Sequence, residues 1–259
     1  MKQHLQYVLL MTACIHPKNL NRSSFRDDPV LRMEDYKKAF TYWLQFEDAR
    51  ITAIVFAENS GYNLQELILI AKNKNTFSRK IEFLEVKESP RLPGIHYGYS
   101  DMEIIDYAVD NSKLLTEDAT IIKTTGRLYF PKLKKLLDEQ DKFQYNFFAD
   151  SRDYKIGKRE KHYIITTLFL ADVSFYKKYL FNVKQQLVSG SSSHMETAYF
   201  QVLKPMSLLK SNKINLRFSY NVDAVGIGAH WNVNYASTTY RLSSFLRLAF
   251  RKVLPGFKI

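Results

Sequence analysis

Leu5-Gln6-Tyr7-Val8-Leu9-Leu10-Met11-Thr12-Ala13-Cys14-Ile15 opens the chain with an almost unbroken apolar run. A bilayer span needs about 20 apolar residues, so this run is too short to cross one. It reads as a strand buried on both faces, the pattern of a parallel sheet. Further β runs follow at 51–57, 81–86, 119–123 and 143–149. Helical patterns fall between them. Residues 34–46 carry Tyr36, Phe40, Trp43 and Leu44 at helical spacing, and 63–72 forms a second helix. A third begins at Asp101, its expected N-cap, with Met102, Ile105 and Val109 on one face. This order predicts an α/β fold with a mixed, mostly parallel sheet flanked by helices. Beyond it, 162–171 and 214–222 read as strands, with a flexible loop at 189–193 and a helix over 196–209.

Ligands in such sheets sit at the carboxyl ends of the strands. That rule directs attention to 15–26, 58–61, 123–127 and 150–153. The bulk composition narrows the chemistry. Hydrophobic residues make up 46% of 259 residues, enough for a packed core. One cysteine, Cys14, excludes an internal disulfide and fits a reducing compartment. No secretory signal is visible, so a soluble or peripheral protein is expected. The net charge is +12, and no acidic residue follows Asp223. Nucleic acid, anionic lipid or phosphorylated substrates could each answer that charge. The sequence has no glycine-rich dinucleotide or P-loop fingerprint, no cysteine-based zinc pattern and no nucleophile elbow.

Four segments remain as candidate chemistry. In Phe147-Phe148-Ala149-Asp150-Ser151-Arg152-Asp153 two carboxylates follow an apolar strand and could hold a divalent cation that binds a diphosphate. Arg152 interrupts the acids, so either Asp153 substitutes or the arginine neutralises phosphate without metal. In Ile121-Ile122-Lys123-Thr124-Thr125-Gly126-Arg127 the strand ends in two cations around a glycine, suited to phosphate or sugar hydroxyls. Ser193-His194-Met195-Glu196 puts a carboxylate at a helix start, where the dipole keeps it ionised and available as a general base. Gly226-Ile227-Gly228-Ala229-His230-Trp231-Asn232 suggests a ligand loop with His230 as a metal or diphosphate contact. Each has a plainer reading: a solvated turn, a helix start, a capping carboxylate, a structural histidine.

The tail is a fifth feature. As a helix over 240–254 it places Leu242, Phe245, Leu246, Ala249 and Val253 on one face, with Arg247 and Arg251 opposite. That basic amphipathic pattern suits an anionic membrane surface. A core-packed terminal helix is the alternative. Residues 1–239 then form one catalytic domain and 240–259 the tail.

The run Gly98-Tyr99-Ser100-Asp101-Met102-Glu103-Ile104-Ile105-Asp106-Tyr107-Ala108, followed by Ile122-Lys123-Thr124-Thr125-Gly126-Arg127, resembles GT-A-type glycosyltransferases of bacterial lipopolysaccharide, O-antigen and capsule clusters. The resemblance spans roughly residues 5 to 235. It implies a GT-A-like, Rossmann-like fold and sugar transfer from a nucleotide-sugar, a UDP-sugar by expectation, to a lipid-linked or lipopolysaccharide glycan. It implies Asp150 as the first acid of an Asp-x-Asp, Gly190 in the glycine loop, Glu196 as the acidic helix start and His230 as the late histidine. Asp150 and His230 would then hold Mn²⁺ or Mg²⁺, and Arg152 departs from the pattern.

Donor contacts implied are Thr12, Ala13, Glu58, Asn59, Ser60, Lys123, Arg127, Arg152 and Asp153, with Arg22, Arg26 or Arg32 available for phosphate. Glu196 and Asp150 are the implied catalytic pair. The place of action would be the cytoplasmic side of the inner membrane. A nucleic-acid-binding protein and a nonenzymatic membrane scaffold are the competing classes. Against nucleic acid as a partner, no recognised motif appears and the basic residues form no dense run.

Overall fold

The computed structural model describes residues 6–17, 26–87, 89, 94–228 and 233–240, with 242, 244, 245 and 247 beyond them. The opening run forms β1 (Gln6–Ala13), followed by α1 (Pro29–Gln45), β2 (Ile51–Glu58), α2 (Gln65–Lys74) and β3 (Lys80–Glu85). Next come α3 (Gly98–Asn111), β4 (Ala119–Thr125), α4 (Leu133–Phe143), β5 (Phe147–Ile156) and β6 (Arg159–Asp172). The last part holds α5 (Val173–Tyr179), α6 (Gln185–Val188), α7 (Met195–Met206), β7 (Ile214–Asn215), β8 (Ile227–Gly228) and β9 (Val233–Asn234). Seven strands make one sheet in the order β3-β2-β1-β4-β6-β5-β7. Pairs β1–β2, β2–β3, β1–β4 and β5–β7 are parallel, while β6 runs antiparallel to β4 and β5. The expected mixed, mostly parallel α/β sheet is therefore present.

Alternation along the strands builds two cores. Val8, Leu10, Ala53 and Val55 face α3, α5 and α7, while Tyr7, Leu9, Met11, Ile54 and Phe56 face α1 and α4. Both faces are covered, which is why β1 and β2 read as continuous apolar runs. Burying a side chain such as Leu9 or Ile54 contributes roughly 1.5–3 kcal/mol each.

Local chemistry moves several boundaries. Asp28 accepts from the Val30 and Leu31 amides and caps α1 with Pro29 at its start, so the helix begins before residue 34. The expected Asp101 cap is not one. α3 starts at Gly98, and Asp101 lies in its first turn with its carboxylate turned to Lys123. The expected strand at 214–222 shrinks to Ile214–Asn215, because Asn215 Oδ1 accepts the Arg217 amide and turns the chain away. α4 and α5 are helices that the sequence pattern did not mark.

The chain order jumps from β3 at one edge back to β4 beside β1. The crevice between the carboxyl ends of β1 and β4 is thus the topological switch point, where open α/β sheets receive ligands. β5 and β6 continue past this end as a ribbon, with an irregular register between Ala149 and Ser151. That break brackets Asp150.

Candidate active site

The crevice is built from backbone outward. The Gly126 amide donates to Thr12 O at 2.9 Å. A Cβ on Gly126 would lie 2.8 Å from Thr12 O and 2.9 Å from the Tyr36 ring. Close approach is therefore why glycine stands here, and the neighbours are protein atoms. Gly226 plays the matching part above. It lies at φ +131 against Arg127 O and Leu128, and the Tyr129–Val225 bridge pins its segment over the end of β4.

On the β2 side, Glu58 is fully occupied. Oε1 accepts from the Ile15 amide and the Ser60 amide, each at 2.9 Å, and from the Ser60 hydroxyl. Oε2 accepts from the Gly61 and Tyr62 amides at 2.9 and 3.3 Å. The Ser60 hydroxyl in turn accepts the His16 amide. Glu58 and Ser60, expected as donor contacts, thus shape the loops after β1 and β2 with nearly all their hydrogen-bonding capacity. Asn59 differs. The residue is 4% exposed, and among the described residues neither its side-chain carbonyl oxygen nor its amide nitrogen has a hydrogen-bond partner. Buried amides normally find partners, so Asn59 stands out among the polar groups at these strand ends.

The other cations divide similarly. Arg26 makes two hydrogen bonds to Asp35, and Arg32 binds Cys14 O and Arg26 O, so both serve the β1–α1 connection. Arg22 lies outside the described residues. Lys123, expected at phosphate, is 0% exposed; its ammonium reaches Asp101 Oδ2 at 2.8 Å and Thr166 O at 2.9 Å. A buried ammonium requires such partners. Arg127 is 8% exposed and donates from Nη1 to Ile227 O at 2.9 Å. Its guanidinium lies 5.8 Å from the Tyr36 ring centroid.

Helix starts bring the acids in. Gly98 lets α3 pack against the start of α7, where a Cβ would meet Met195 Cβ at 2.9 Å. Asp101 and Glu196, each in a first turn, therefore converge. Thr166 links them, its carbonyl on Lys123 and its hydroxyl donating to Glu196 at 3.3 Å. Tyr97 sits in the same field. Burial first, then the charges of Glu196 and Asp101 and the nearby Tyr235, push its phenol up to about 12. Tyr235 is also raised, by burial and then by Tyr240, with Arg127 acting the other way. Tyr97 and Asp101 were not expected in the site. The only sequence signal was their place just before and inside a helix start at a strand end.

The Asp150–Asp153 pair does not act together. Asp150 Oδ2 is held by Arg152 Nη1 at 2.8 Å. Asp153, three positions further along the strand, projects to the other face, where Lys204 of α7 and His162 take it. Those partners hold its carboxyl below the usual range against the opposing effect of burial. The expected Mn²⁺ or Mg²⁺ site therefore fits poorly. One carboxylate is paired with a guanidinium and the second faces away. Among the described residues, no three His, Cys, Asp or Glu side chains come together as ligands. His230 lies outside the described residues. Gly190 (φ +73) sits in the loop before α7 with open space around it.

Comparisons with known proteins add the following. No protein-family model matches the chain, and no curated protein matches it. Among solved structures, mouse xyloside xylosyltransferase 1 is similar over 82% of this chain and 84% of its own, at 9% identity and TM-score 0.43. The glycosyltransferase GlyE of Streptococcus pneumoniae TIGR4 is similar over 85% of this chain, which spans 47% of GlyE, at 8% identity and TM-score 0.49. The galactosyltransferase LgtC, in complex with donor and acceptor sugar analogs, is similar over 74% of this chain and 69% of its own, at 9% identity and TM-score 0.46. Likeness at this level leaves the chemistry to be argued from this chain's own geometry.

Proposed function

We propose that this chain is a glycosyltransferase that moves a sugar from a nucleotide-sugar onto a glycan acceptor. The observation that carries the reading is the switch-point crevice flanked by two underspent buried groups, the amide of Asn59 after β2 and the guanidinium of Arg127 after β4. An amide offers one donor and one acceptor, the complement of a nucleobase edge. A guanidinium suits phosphate oxygens. Thr12 and Ala13 form the floor between them, and Glu58 and Ser60 hold the loop that presents Asn59.

Glu196 is the base in a direct displacement. The acceptor hydroxyl oxygen attacks the anomeric carbon and forms the new C–O bond. The bond from that carbon to the diphosphate oxygen breaks, its electron pair leaving with the diphosphate. The acceptor proton passes to Glu196. Thr166 orients that carboxylate, Lys123 orients Asp101, and Tyr97 and Asp101 supply hydrogen bonds to acceptor hydroxyls. Asp150 pairs with Arg152, a further cation after β5's apolar start. No metal enters any step.

The finer reading follows the tail and the sequence resemblance: a UDP-sugar donor, and a lipid-linked or lipopolysaccharide acceptor of O-antigen or capsule assembly, met at the cytoplasmic face of the inner membrane. Leu242 and Phe245 of the tail are exposed, as membrane contact requires. Most other residues of the tail lie outside the described set. No described helix is long and apolar enough to cross a membrane.

The test is a panel of nucleotide-sugars scored by thermal shift and then by transfer to glycolipid acceptors. A donor that binds the native state raises its melting temperature. Stabilisation by one nucleotide class with product formation supports the reading. Absence of both across the panel overturns it.

A further inference from the structure

Two buried arginines in this fold are spent in opposite ways. Arg79 is wholly structural. Its fork donates to Ile51 O, Trp43 O, Leu44 O, Phe46 O and Asp48 O at 2.6–3.0 Å, using all five N–H groups. Among the described residues Arg127 makes a single hydrogen bond, from Nη1 to Ile227 O, a neutral acceptor. Among the described residues its buried Nε has no hydrogen-bond partner and no carboxylate pairs with the guanidinium. A buried charge without a counter-ion is costly unless an anion completes it. The Nε–Nη2 edge is the one that grips two oxygens of a phosphate side by side.

Its position says which anion. Arg127 follows Gly126, whose amide is tied to Thr12 O at the switch point, and its guanidinium lies between Ile227 O and the Tyr36 ring beside the carboxyl ends of β1 and β4. Among the described residues, three carboxylates near these strand ends already carry a cation or amide partner. Glu58 is held by backbone amides and a hydroxyl, Asp150 by Arg152, and Asp101 by Lys123. We propose that Arg127 supplies the positive charge for the donor's diphosphate, so that this chain binds and activates a nucleoside diphosphate-sugar without a divalent metal. The inference rests on the transferase reading above and assigns its charge balance. As the sugar–oxygen bond breaks, the electron pair collects on the diphosphate oxygen, and the guanidinium supplies the compensating positive charge.

Titration calorimetry of the full chain with UDP, uridine and inorganic pyrophosphate, in excess EDTA and again with Mn²⁺, tests this. The expected result is UDP binding of equal affinity in both buffers, with pyrophosphate and uridine each weaker. Arg127→Met should weaken UDP by about 10- to 100-fold while leaving uridine unchanged, and Arg127→Lys should fall between, because it keeps the charge and loses the fork. Melting curves establish that each variant folds; if the methionine variant does not, the lysine variant carries the comparison. UDP binding that needs Mn²⁺, or is untouched by either substitution, overturns the metal-free role and leaves the transferase reading standing. Pyrophosphate binding as tight as UDP overturns the nucleoside diphosphate as the anion. Failure of every nucleotide and nucleotide-sugar to bind in either buffer overturns both.

Discussion

The ammonium of Lys123, wholly buried on β4, lies 2.8 Å from the carboxylate of Asp101, whose side chain is 29% exposed at the first turn of α3. One end of this ion pair is in the core and the other at the mouth of the crevice. It therefore couples packing to the proposed acceptor side of the site. Asp101→Asn should destabilise the fold by roughly 2 kcal/mol, below the usual cost of breaking a buried pair because Asp101 is partly solvated. Adding Lys123→Met should recover part of that loss. Urea denaturation of the single and double variants reads it; no recovery in the double variant would mean that the pair is not the source.

Glu196 is half-buried and, among the described residues, accepts only a hydroxyl from Thr166, so its carboxylate has capacity left for an acceptor proton. Glu196→Gln keeps the shape and removes the base. Turnover should drop by about 10²- to 10⁴-fold with nucleotide affinity unchanged. Turnover within a few-fold of the parent would take Glu196 out of the chemistry.

Gly126→Ala places a methyl 2.8 Å from Thr12 O, a backbone atom that cannot move aside without parting β1 from β4. The expected cost is about 1–3 kcal/mol, with weaker nucleotide binding because the crevice floor shifts. Gly190→Ala is a useful contrast. It meets no atoms, but its positive φ makes the substitution strained, by about 1 kcal/mol. Denaturation midpoints together with UDP affinity separate the two effects: only Gly126→Ala should change both.

Asp172 gives a pH signature unrelated to catalysis. Burial raises its carboxyl to about 6, partly opposed by the Thr120 hydroxyl, which donates at 2.9 Å. A carboxyl with a raised folded pKa favours the native state at low pH, and that contribution fades as pH climbs from about 4 through about 6. Asp172→Asn keeps the acceptor and removes the charge. It should raise stability at pH 7.5, by on the order of 1–3 kcal/mol, and change little at pH 4. Equal effects at the two pH values would contradict the raised pKa.

Much of the fold was legible in the chain. The apolar run through Leu9 and Leu10, and its repeats ending at Ala57 and Ile122, carry the double burial that only a covered sheet provides. Gly126 and Glu196 could be picked out because a glycine after a strand and an acid at a helix start are local signals. The pairing of Asp150 with Asp153 misled because spacing in sequence does not say which face a strand residue takes. A break in register near Asp150, and the packing of Lys204 from α7, separate the two acids. Glu58, Lys123 and Arg127 look alike in sequence as polar groups at strand ends. Their partners are set by contacts 2 to 100 positions away.

The sequence by itself determined the layered α/β class and the strand ends where a ligand belongs, because hydrophobic periodicity is a local record of burial. Only the tertiary structure decided how each polar group at those ends is used. Hydrogen bonds are claimed by whichever partner the folded chain brings within reach. Glu58 and Lys123 are consumed by partners within the fold, while among the described residues Asn59 and Arg127 are left with buried atoms that no protein group pairs.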